Sequence, residues 1–463
     1  MLTSKFFSKI PSLIKVTGPG VEIELLINTD SRSFRRGETF VALDGESFDG
    51  FNYVEQVLKE GAKVIVYSQK NGREEGILFF ARNYPEVLFV ETTSSLKFMQ
   101  ELASLYIKEW KNEKSDRKII GITGSNGKTT HKEMAFSLLN SLFPNQVLAT
   151  KGNFNNHIGV PLTIFRLQKS HNIAIIEMGM NHPGEIKELC SIANPENGII
   201  TNIGSAHIEF MHSIANIFSE KSNLYQAVLE NAKGSGQFVV NADDFYLSQL
   251  EKSYGLTTYG EKVGDVKVNI TENRISFNIM GEEVLITNNN ILEHHNLKNL
   301  AGVSILAIKL FPHKIREIEK AACEYQQPSM NRSQWVNNIF LDAYNANPSS
   351  MRVSIDSFVN VMKSKKISLT ECYFILGDMN ELGEFAEEMH KEIAEHLKSQ
   401  EIMNVSFIGR YKDYYISGYK NPKSAYLNKD EFYEEWKTIR NSYKYIFVKA
   451  SRSLQLESLM SIV

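Results

Sequence analysis

The stretch from Lys118 to Leu139, KIIGITGSNGKTTHKEMAFSLL, contains the residues with the clearest chemistry. An apolar run at 119–122 predicts a buried strand, and an amphipathic pattern predicts a helix from Lys132 onward. Between them, glycines let backbone N–H groups converge on an anion at the positive end of that helix. A lysine would contact the outer phosphates of a nucleotide, and a threonine hydroxyl would bind Mg²⁺. The predicted phosphate loop consists of Gly124, Ser125, Asn126, Gly127, Lys128, Thr129 and Thr130.

This loop departs in one place from the usual pattern G-x-x-x-x-G-K-[ST], which requires glycine where the chain has Ile122. The upstream glycine is Gly124, so the loop is a shorter variant. The alternative is an ordinary glycine turn between a strand and a helix. The Lys-Thr pair and the flanking elements favour phosphate binding.

Two candidate metal ligands follow predicted strands, at the edge where open α/β sheets bind their ligands. Glu177 follows the apolar run 173–176, and its carboxylate could bind Mg²⁺ directly or through water. His207 ends the segment TNIGSAH after the next predicted strand. The alternatives are a solvated glutamate and a histidine that is only hydrogen-bonded.

Polar loops elsewhere could bind the rest of a substrate. The segment KGNFNNHIGVPLT suits a sugar-like or peptide-like ligand, although an asparagine-rich turn is the alternative. DAYNANP and GDMNELG each follow a predicted strand and could face the phosphate site across a cleft, but their chemistry alone is ambiguous. The neutral candidates in the first of these loops are Asn153, Asn155, Asn156 and His157.

Near the N-terminus, Ser31 and Arg32 could hold a phosphate, because arginine offers a fork of donors. A solvated Asp-Ser-Arg turn is the more common explanation of such a segment.

Strand and helix patterns alternate through the chain, which predicts an α/β fold. The central part should be a mainly parallel sheet with helices on both faces, followed by shorter strands that extend it. The predicted central strands are 119–123, 173–177, 198–202 and 237–241, the extension is 267–270, 274–279 and 283–287, and the last part has strands at 338–341, 373–376, 405–408 and 445–448.

At 463 residues the chain is too long for one hydrophobic core. The charged segment 111–118 (KNEKSDRK) and the segment 326–328 (QQP) are predicted linkers. We therefore predict three domains: a small α/β domain over 1–113, a central domain over 114–326 and a C-terminal α/β domain over 327–463.

The composition excludes several classes of protein. Hydrophobic residues make up 42% and charged residues 23%, as in a globular protein, and the net charge of −3 argues against a nucleic-acid binder. Three scattered cysteines form neither a disulfide framework nor a metal cluster, which fits a reducing compartment. No run is long enough to span a bilayer, and the N-terminus is a poor signal peptide, so we expect a cytoplasmic protein.

Taken together, the motifs resemble the Mur ligase family, the ATP-dependent amide-forming enzymes of peptidoglycan precursor synthesis. The resemblance implies an N-terminal UDP-sugar-binding domain, a central ATPase domain and a C-terminal Rossmann-like domain. It also implies that ATP phosphorylates a carboxylate and that an amine attacks the resulting acyl phosphate. The motifs are TGSNGKTT, GNFNNHIGVPLT, EMGM, NIGSAH, DAYNANPSSM and GDMNELG with the later His390, in that order.

The resemblance further implies the partners: UDP-N-acetylmuramoyl-tripeptide, D-alanyl-D-alanine, ATP and two Mg²⁺ ions, with a monomeric enzyme and no nucleic acid. The third residue of the tripeptide, diaminopimelate or lysine, stays open. The alternatives are a sibling ligase, a folylpolyglutamate synthase, or an ATPase that makes no amide bond. YNANP and GNFNNHIG argue against the first two.

Roles for individual residues are implied by the same resemblance. Lys128 would hold the β- and γ-phosphates, Thr129, Glu177 and His207 would bind metal, and Lys221 would be carbamylated to serve the second metal. Phe51 replaces the histidine of the family's DGH motif, which leaves the uridine contacts open. The remaining assignments are Asn299 to adenine, Arg332 to the phosphates, Asp342 to ribose, Tyr344, Asn345 and Asn347 to the nucleotide or dipeptide side, and Ser31 and Arg32 to the UDP-sugar.

Overall fold

The computed structural model describes residues 2–253, 255–328 and 334–461. Within these ranges the strands form three separate sheets, of five, nine and six strands, each packed with helices. The predicted α/β fold with a mainly parallel central sheet is confirmed. Arg332, a predicted phosphate ligand, lies outside the described residues.

The first domain is a small, mostly parallel sheet with its helices. When its strands are numbered in chain order, they lie across the sheet in the order 1-5-4-3-2. Only the first strand runs antiparallel to its neighbour. The elements are β1 (Leu13–Thr17), β2 (Ile27–Asn28), β3 (Thr39–Val41), α1 (Val54–Lys59), β4 (Val64–Ser68), α2 (Glu74–Asn83), β5 (Leu88–Thr92) and α3 (Ser95–Glu113).

The predicted linker over 111–118 is wrong in extent, because α3 continues to Glu113 and the next strand begins at Lys118. The charged residues at the end of α3 are the polar face of an amphipathic helix. Its other face packs on the central domain, where the Tyr106 hydroxyl donates to the Leu167 carbonyl at 2.7 Å and Trp110 Nε1 donates to the Gln168 carbonyl at 3.2 Å. Only 114–117 connect the two elements.

The central domain is built on the largest sheet. Its strands are β6 (Lys118–Thr123), β7 (Val147–Ala149), β8 (Ile173–Glu177), β9 (Asn197–Ile200), β10 (Phe238–Asn241), β11 (Leu256–Gly260), β12 (Val266–Thr271), β13 (Arg274–Ile279) and β14 (Glu282–Thr287). Its helices are α4 (Lys128–Leu142), α5 (Gly159–Ile164), α6 (Glu185–Ala193), α7 (Ile208–Met211), α8 (Ile214–Ala232), α9 (His294–Leu310) and α10 (Ile315–Glu324).

The order in this sheet is β14-β13-β12-β11-β10-β9-β6-β8-β7. Across the sheet, the strands from β7 to β12 run parallel, and β13 and β14 follow as antiparallel strands. The three short strands that the sequence predicts as an extension are β12, β13 and β14. β6 therefore lies between β8 and β9. The carboxyl ends of these three strands meet at one edge, where an open α/β sheet binds its ligand.

Alternate residues of the central strands enter two different cores, which is why helices cover both faces. Ile119 packs in one cluster with residues of α3, α5, α6 and α8. Ile120 and Ile122 pack in the other with residues of α4, α9 and α10. Because successive side chains of a strand point to opposite faces, an almost continuous apolar run is what such a sheet requires.

The third domain repeats this architecture on a smaller scale, with strand order β15-β16-β20-β17-β18-β19 and only β15 antiparallel. No helix in the described parts of the chain is both long and apolar enough to cross a bilayer. The elements are β15 (Gln334–Val336), β16 (Ile339–Asp342), α11 (Pro348–Ser364), β17 (Cys372–Gly377), α12 (Ala386–Ser399), β18 (Val405–Ile408), α13 (Lys412–Tyr419), β19 (Ser424–Tyr426), α14 (Lys429–Ser442) and β20 (Tyr445–Lys449).

Candidate active site

The phosphate loop connects the end of β6 to the start of α4, as the sequence predicts. Gly124 has φ 149° and Gly127 has φ 75°, a region that favours glycine. A Cβ at Gly124 would lie 1.8 Å from Oγ1 of Thr201, so no other residue fits there without movement of the loop. The close contact with the segment after β9 thus explains why the upstream glycine of the loop is at position 124.

That segment also holds the loop by hydrogen bonds. The backbone N–H of Ser125 donates to the Asn202 carbonyl at 3.0 Å, and the N–H of Asn126 donates to Oδ1 of Asn202 at 3.0 Å. The Ser125 hydroxyl donates to the Gly204 carbonyl at 3.0 Å and accepts from the Gly204 N–H at 2.9 Å. The loop is therefore preorganised before any nucleotide binds.

Lys128 is the first residue of α4, and its ammonium group folds back over the loop. Nζ donates to the carbonyls of Gly124 at 2.8 Å and Ser125 at 3.4 Å. The next residue, Thr129, is buried and donates through Oγ1 to Oε1 of Glu177 at 3.1 Å. The loop cation and the strand-end carboxylate thus lie at one end of the same helix.

Glu177 is 1% exposed and is oriented from two sides. Its Oε1 accepts from Thr129 and, at 2.8 Å, from Nδ2 of Asn155. Its other oxygen, Oε2, is buried with no hydrogen-bond partner among the described residues. A buried carboxylate oxygen without a donor is costly unless a cation satisfies it, so this oxygen fits a Mg²⁺ ligand.

An ion here would need ligands from a nucleotide as well. Within the described ranges, no three His, Cys, Asp or Glu side chains come close enough together to hold a metal ion. Mg²⁺ is commonly bound by one or two carboxylates together with phosphate oxygens, which is the situation Thr129 and Glu177 present beside the phosphate loop.

His207 lies after β9, at the start of α7, and Nδ1 is 2.6 Å from Oε2 of Glu381 in the third domain. Burial lowers the pKa of His207 despite the nearby carboxylate, which favours the neutral ring. The histidine in turn lowers the pKa of Glu381. Sequence reasoning did not single out Glu381, although it lies in the GDMNELG motif.

Lys221 is completely buried in α8, and Nζ has no hydrogen-bond partner among the described residues. Burial, together with the charge of Lys128, lowers the pKa of Lys221 well below its usual value. Both effects favour the uncharged amine, which is the nucleophilic form of a lysine. Its neighbour Glu220 has a structural task, since it accepts from backbone N–H groups at the start of α6.

The third domain forms the opposite wall from the ends of β16 and β20. Oδ2 of Asp342 accepts from Nζ of Lys449 at 2.6 Å and from the Ser354 hydroxyl at 2.9 Å. Lys449 is 1% exposed and also donates to the Asn345 carbonyl at 3.0 Å. Sequence reasoning did not identify Lys449 as a site residue, because a single lysine at the end of a strand is common. The signal that could have identified it is its position at the end of a strand that neighbours the one ending at Asp342.

The two walls are joined by a polar contact at the phosphate loop. Nδ2 of Asn126 donates to the Ser349 hydroxyl at 2.8 Å, and Nδ2 of Asn347 donates to Oδ1 of Asn126 at 2.7 Å. Asn347 also caps α11, because its Oδ1 accepts from the Ser350 N–H at 2.9 Å. The YNANP motif therefore touches the phosphate loop directly.

Between the walls lies a cavity of about 1090 Å³. This volume suits a nucleotide together with part of a second substrate. It is lined by the phosphate loop from Ser125 to Thr130 and by most of the other predicted site residues: Asn153, Asn155, Asn156, His157, Glu177, His207, Asn299, Asp342, Tyr344 and Asn345.

Some predicted site residues lie elsewhere in the described chain. Ser31 and Arg32 belong to the first domain and do not line this cavity, and neither does Lys221. Asn156 lines the cavity, but its Oδ1 accepts from the N–H groups of Ile158 at 3.2 Å and Gly159 at 2.8 Å. That side chain has a structural role at the start of α5.

Comparison with known proteins agrees with this architecture. The family model described as "Mur ligase middle domain" matches residues 122–307. The family model described as "Mur ligase, glutamate ligase domain" matches residues 331–420. The UDP-N-acetylmuramoyl-tripeptide–D-alanyl-D-alanine ligase of Bacillus subtilis (strain 168) is 31% identical over 451 residues, which cover 94% of this chain and 92% of that protein.

The chain belongs to the Mur ligase family.

Two solved structures relate this Mur ligase to known folds. The crystal structure of MurF from Acinetobacter baumannii has a TM-score of 0.81 at 26% identity and covers 96% of this chain and 94% of its own. The MurF ligase from Thermotoga maritima, solved in complex with ADP, has a TM-score of 0.76 at 23% identity and covers 94% and 96%. The similarity to the Thermotoga maritima structure concerns the fold alone.

Proposed function

We propose that this Mur ligase joins D-alanyl-D-alanine to UDP-N-acetylmuramoyl-tripeptide, using ATP and releasing ADP and phosphate. The observation that carries the proposal is the contact of the YNANP loop with the phosphate loop across one cavity. The Bacillus subtilis relative, which carries that activity in its name, matches nearly the whole chain.

A carboxylate needs activation before an amine can attack it. One oxygen of the tripeptide's terminal carboxylate attacks the γ-phosphorus of ATP, ADP leaves, and an acyl phosphate forms. The dipeptide amine then adds to the carbonyl carbon and loses a proton to solvent. The bond between that carbon and the oxygen that bridges to phosphorus breaks, and phosphate leaves with the bridging oxygen. Both partners of the first step are anions, so the site must supply positive charge where they meet.

The phosphate end of the site supplies that charge through this chain's own groups. Backbone N–H groups at the start of α4 lie at the positive end of the helix dipole, where the β- and γ-phosphates would bind. When a nucleotide enters, Lys128 can exchange its two carbonyl acceptors for phosphate oxygens. The Asn202 contacts keep the loop in shape during this exchange.

Three side chains would hold Mg²⁺: Thr129 through its hydroxyl, Glu177 through Oε2, and His207 through its ring. Bound Mg²⁺ would neutralise charge on the phosphates as they approach the carboxylate. Asn155 keeps Glu177 oriented by donating to Oε1, which leaves Oε2 available.

Lys221 would serve a second metal ion as a carbamate. The neutral amine adds to the carbon of CO₂, a C–N bond forms, and the nitrogen loses a proton to solvent, which converts a potential cation into an anion. The burial of Nζ and the absence of a hydrogen-bond partner among the described residues support this reaction, since a lysine kept neutral is a nucleophile.

The two substrates would approach from different domains. Ser31 and Arg32 would bind the UDP-sugar in the first domain. Asn153 and His157, together with Asn345, would contact the peptide ends near the cavity. Asn299 and Asp342 would contact the adenine and ribose of the nucleotide. We further propose that the enzyme acts as a monomer in the cytoplasm, where ATP is available and where its free cysteines stay reduced.

Phosphate release in the presence of ATP and Mg²⁺ tests the proposal. It should require both a UDP-muramyl-tripeptide and D-alanyl-D-alanine, and omission of either should reduce it to background. A panel with diaminopimelate or lysine at the third position identifies the preferred tripeptide. Steady release without either substrate would instead indicate a simple ATPase, and dependence on glutamate with a folate would indicate a folylpolyglutamate synthase.

A further inference from the structure

Glu381 of the third domain reaches across the cavity to His207 of the central domain. It lies in the GDMNELG segment between β17 and α12, and its Oε2 is 2.6 Å from Nδ1 of His207. The backbone takes part as well, because the Glu209 N–H donates to the Glu381 carbonyl at 3.3 Å. This contact between the two domains is separate from the one at Asn126.

Both partners have backbone conformations that non-glycine residues rarely adopt. His207 has φ 64° and Glu381 has φ 60°. Such conformations cost free energy and persist only where the surroundings enforce them, often at functional sites. Gly383, at φ 51°, allows the close approach, because a Cβ there would lie 2.9 Å from Cγ of Glu209.

The loop that presents Glu381 is braced within its own domain. The N–H of Asn380 donates to the Ser451 hydroxyl at 3.0 Å. The N–H of Met379 donates to Nε2 of His390 at 3.1 Å, and that ring is completely buried in α12. The carboxylate is thus presented from a rigid support, which also gives His390 a role.

A histidine that binds a metal through one ring nitrogen usually donates its other N–H to a carboxylate or carbonyl, which sets the orientation of the ring. With Nδ1 facing Glu381, Nε2 is the nitrogen left for the cavity that His207 lines. We propose that Glu381 is a positioning residue that orients His207 for metal binding and does so only when the third domain is docked. This inference rests on the proposed function, in which His207 is a metal ligand.

The consequence is a link between domain docking and assembly of the metal site. The phosphate loop, Thr129 and Glu177 all belong to the central domain and are held there. The orientation of His207, in contrast, depends on a side chain of the other wall. A metal ion and nucleotide would therefore be bound most tightly in the docked arrangement, before the acyl phosphate is formed and exposed to water.

The test uses Mn²⁺ as the probe, on the full-length enzyme with a non-hydrolysable ATP analogue. Mn²⁺ affinity is measured by electron paramagnetic resonance, and the nitrogen coupling of a bound imidazole is measured by electron spin echo modulation. We expect Glu381→Ala to weaken Mn²⁺ binding by about 10- to 100-fold and to lose the nitrogen coupling, and we expect the same loss of coupling for His207→Ala. Glu381→Gln should keep much of both, because the amide oxygen can occupy the position of Oε2 beside Nδ1.

Glu387→Ala is the matched control, because this exposed glutamate of α12 does not line the cavity. Glu381→Asp, which keeps the charge but shortens the reach, is a second variant and should weaken Mn²⁺ binding in the same direction. Glu381→Ala with wild-type Mn²⁺ affinity and coupling would overturn the inference. So would a loss shared equally by Glu387→Ala. Because Mn²⁺ binding is read without turnover, a wild-type enzyme that ligates nothing would overturn the proposed function separately.

Discussion

The phosphate loop of the central domain and the Ser31–Arg32 segment of the first domain both offer donors for phosphate, but their surroundings differ. The phosphate loop is hydrogen-bonded to the neighbouring segment at Asn202 and Gly204. The Arg32 side chain is 88% exposed, and its Nε and Nη2 each donate to the Asp30 carboxylate at 2.8 Å. One region is held by the segment that follows β9, and the other by its own turn.

This difference separates two kinds of contribution to the reaction. A preorganised loop stabilises charge that develops during phosphoryl transfer, so a change there should lower kcat. An exposed arginine that must exchange its aspartate partner for a ligand contributes mainly to binding. A change there should raise KM and leave kcat nearly unchanged.

The largest effect is expected for Lys128→Ala. Loss of the cation at the γ-phosphate should lower kcat by about 10³-fold or more, while binding of the UDP-substrate by calorimetry stays nearly intact. Lys187→Ala, at an exposed lysine of α6 in the same domain, is the control and should behave as wild type. Wild-type turnover of Lys128→Ala would contradict the role of the loop, and loss of UDP-substrate binding would indicate misfolding instead.

Lys221→Ala should be the next most severe change. Removal of the proposed carbamate should lower ligation by about 100-fold, since a metal ligand is lost. A short-chain carboxylate added to the assay should restore part of the activity by occupying the vacated space. Wild-type activity of the variant would rule out the carbamate. Mass spectrometry of gently handled wild-type enzyme checks directly whether Lys221 is carbamylated.

Asn155 and Asn156 are adjacent but should respond differently. Asn155→Ala removes the donor to Oε1 of Glu177 and should lower kcat by about 10- to 100-fold with little change in melting temperature. Asn156→Ala removes the acceptor for two N–H groups at the start of α5 and should reduce the free energy of unfolding by about 1 kcal/mol. Equal effects of the two variants on kcat would argue against a special role for Asn155.

The smallest effect on turnover is expected for Arg32→Ala. KM for the UDP-substrate should rise by about tenfold, with kcat within a factor of about two, because only a binding contact is lost. Arg82→Ala, at an exposed arginine of α2 in the same domain, should change neither constant. A large fall in kcat for Arg32→Ala would mean that the two regions are not separated as the structure suggests.

The phosphate loop could be predicted from the sequence because its requirements are local. A buried strand, two glycines and a helix start lie within one short stretch, and Gly124 is required by contact with Thr201. Glu177 could be predicted as well, because it ends the strand next to the loop. Their roles in binding nucleotide and metal stay predictions until tested.

Contacts between domains could not be read in the same way. Glu381 and Lys449 are ordinary charged residues in the sequence, and only the packing of the third domain brings Glu381 to His207. The linker over 111–118 was misjudged for a related reason. Its charged residues belong to a helix whose apolar side, at Tyr106 and Trp110, packs on another domain.

The central claim is that this cavity activates a carboxylate by phosphoryl transfer. It is tested most directly with UDP-N-acetylmuramoyl-tripeptide labelled with ¹⁸O in the reacting carboxylate. Mass spectrometry of the phosphate released during ligation to D-alanyl-D-alanine should find one ¹⁸O atom per phosphate, because the bridging oxygen leaves with phosphorus. Phosphate that carries no ¹⁸O, with ligation proceeding, would contradict the account.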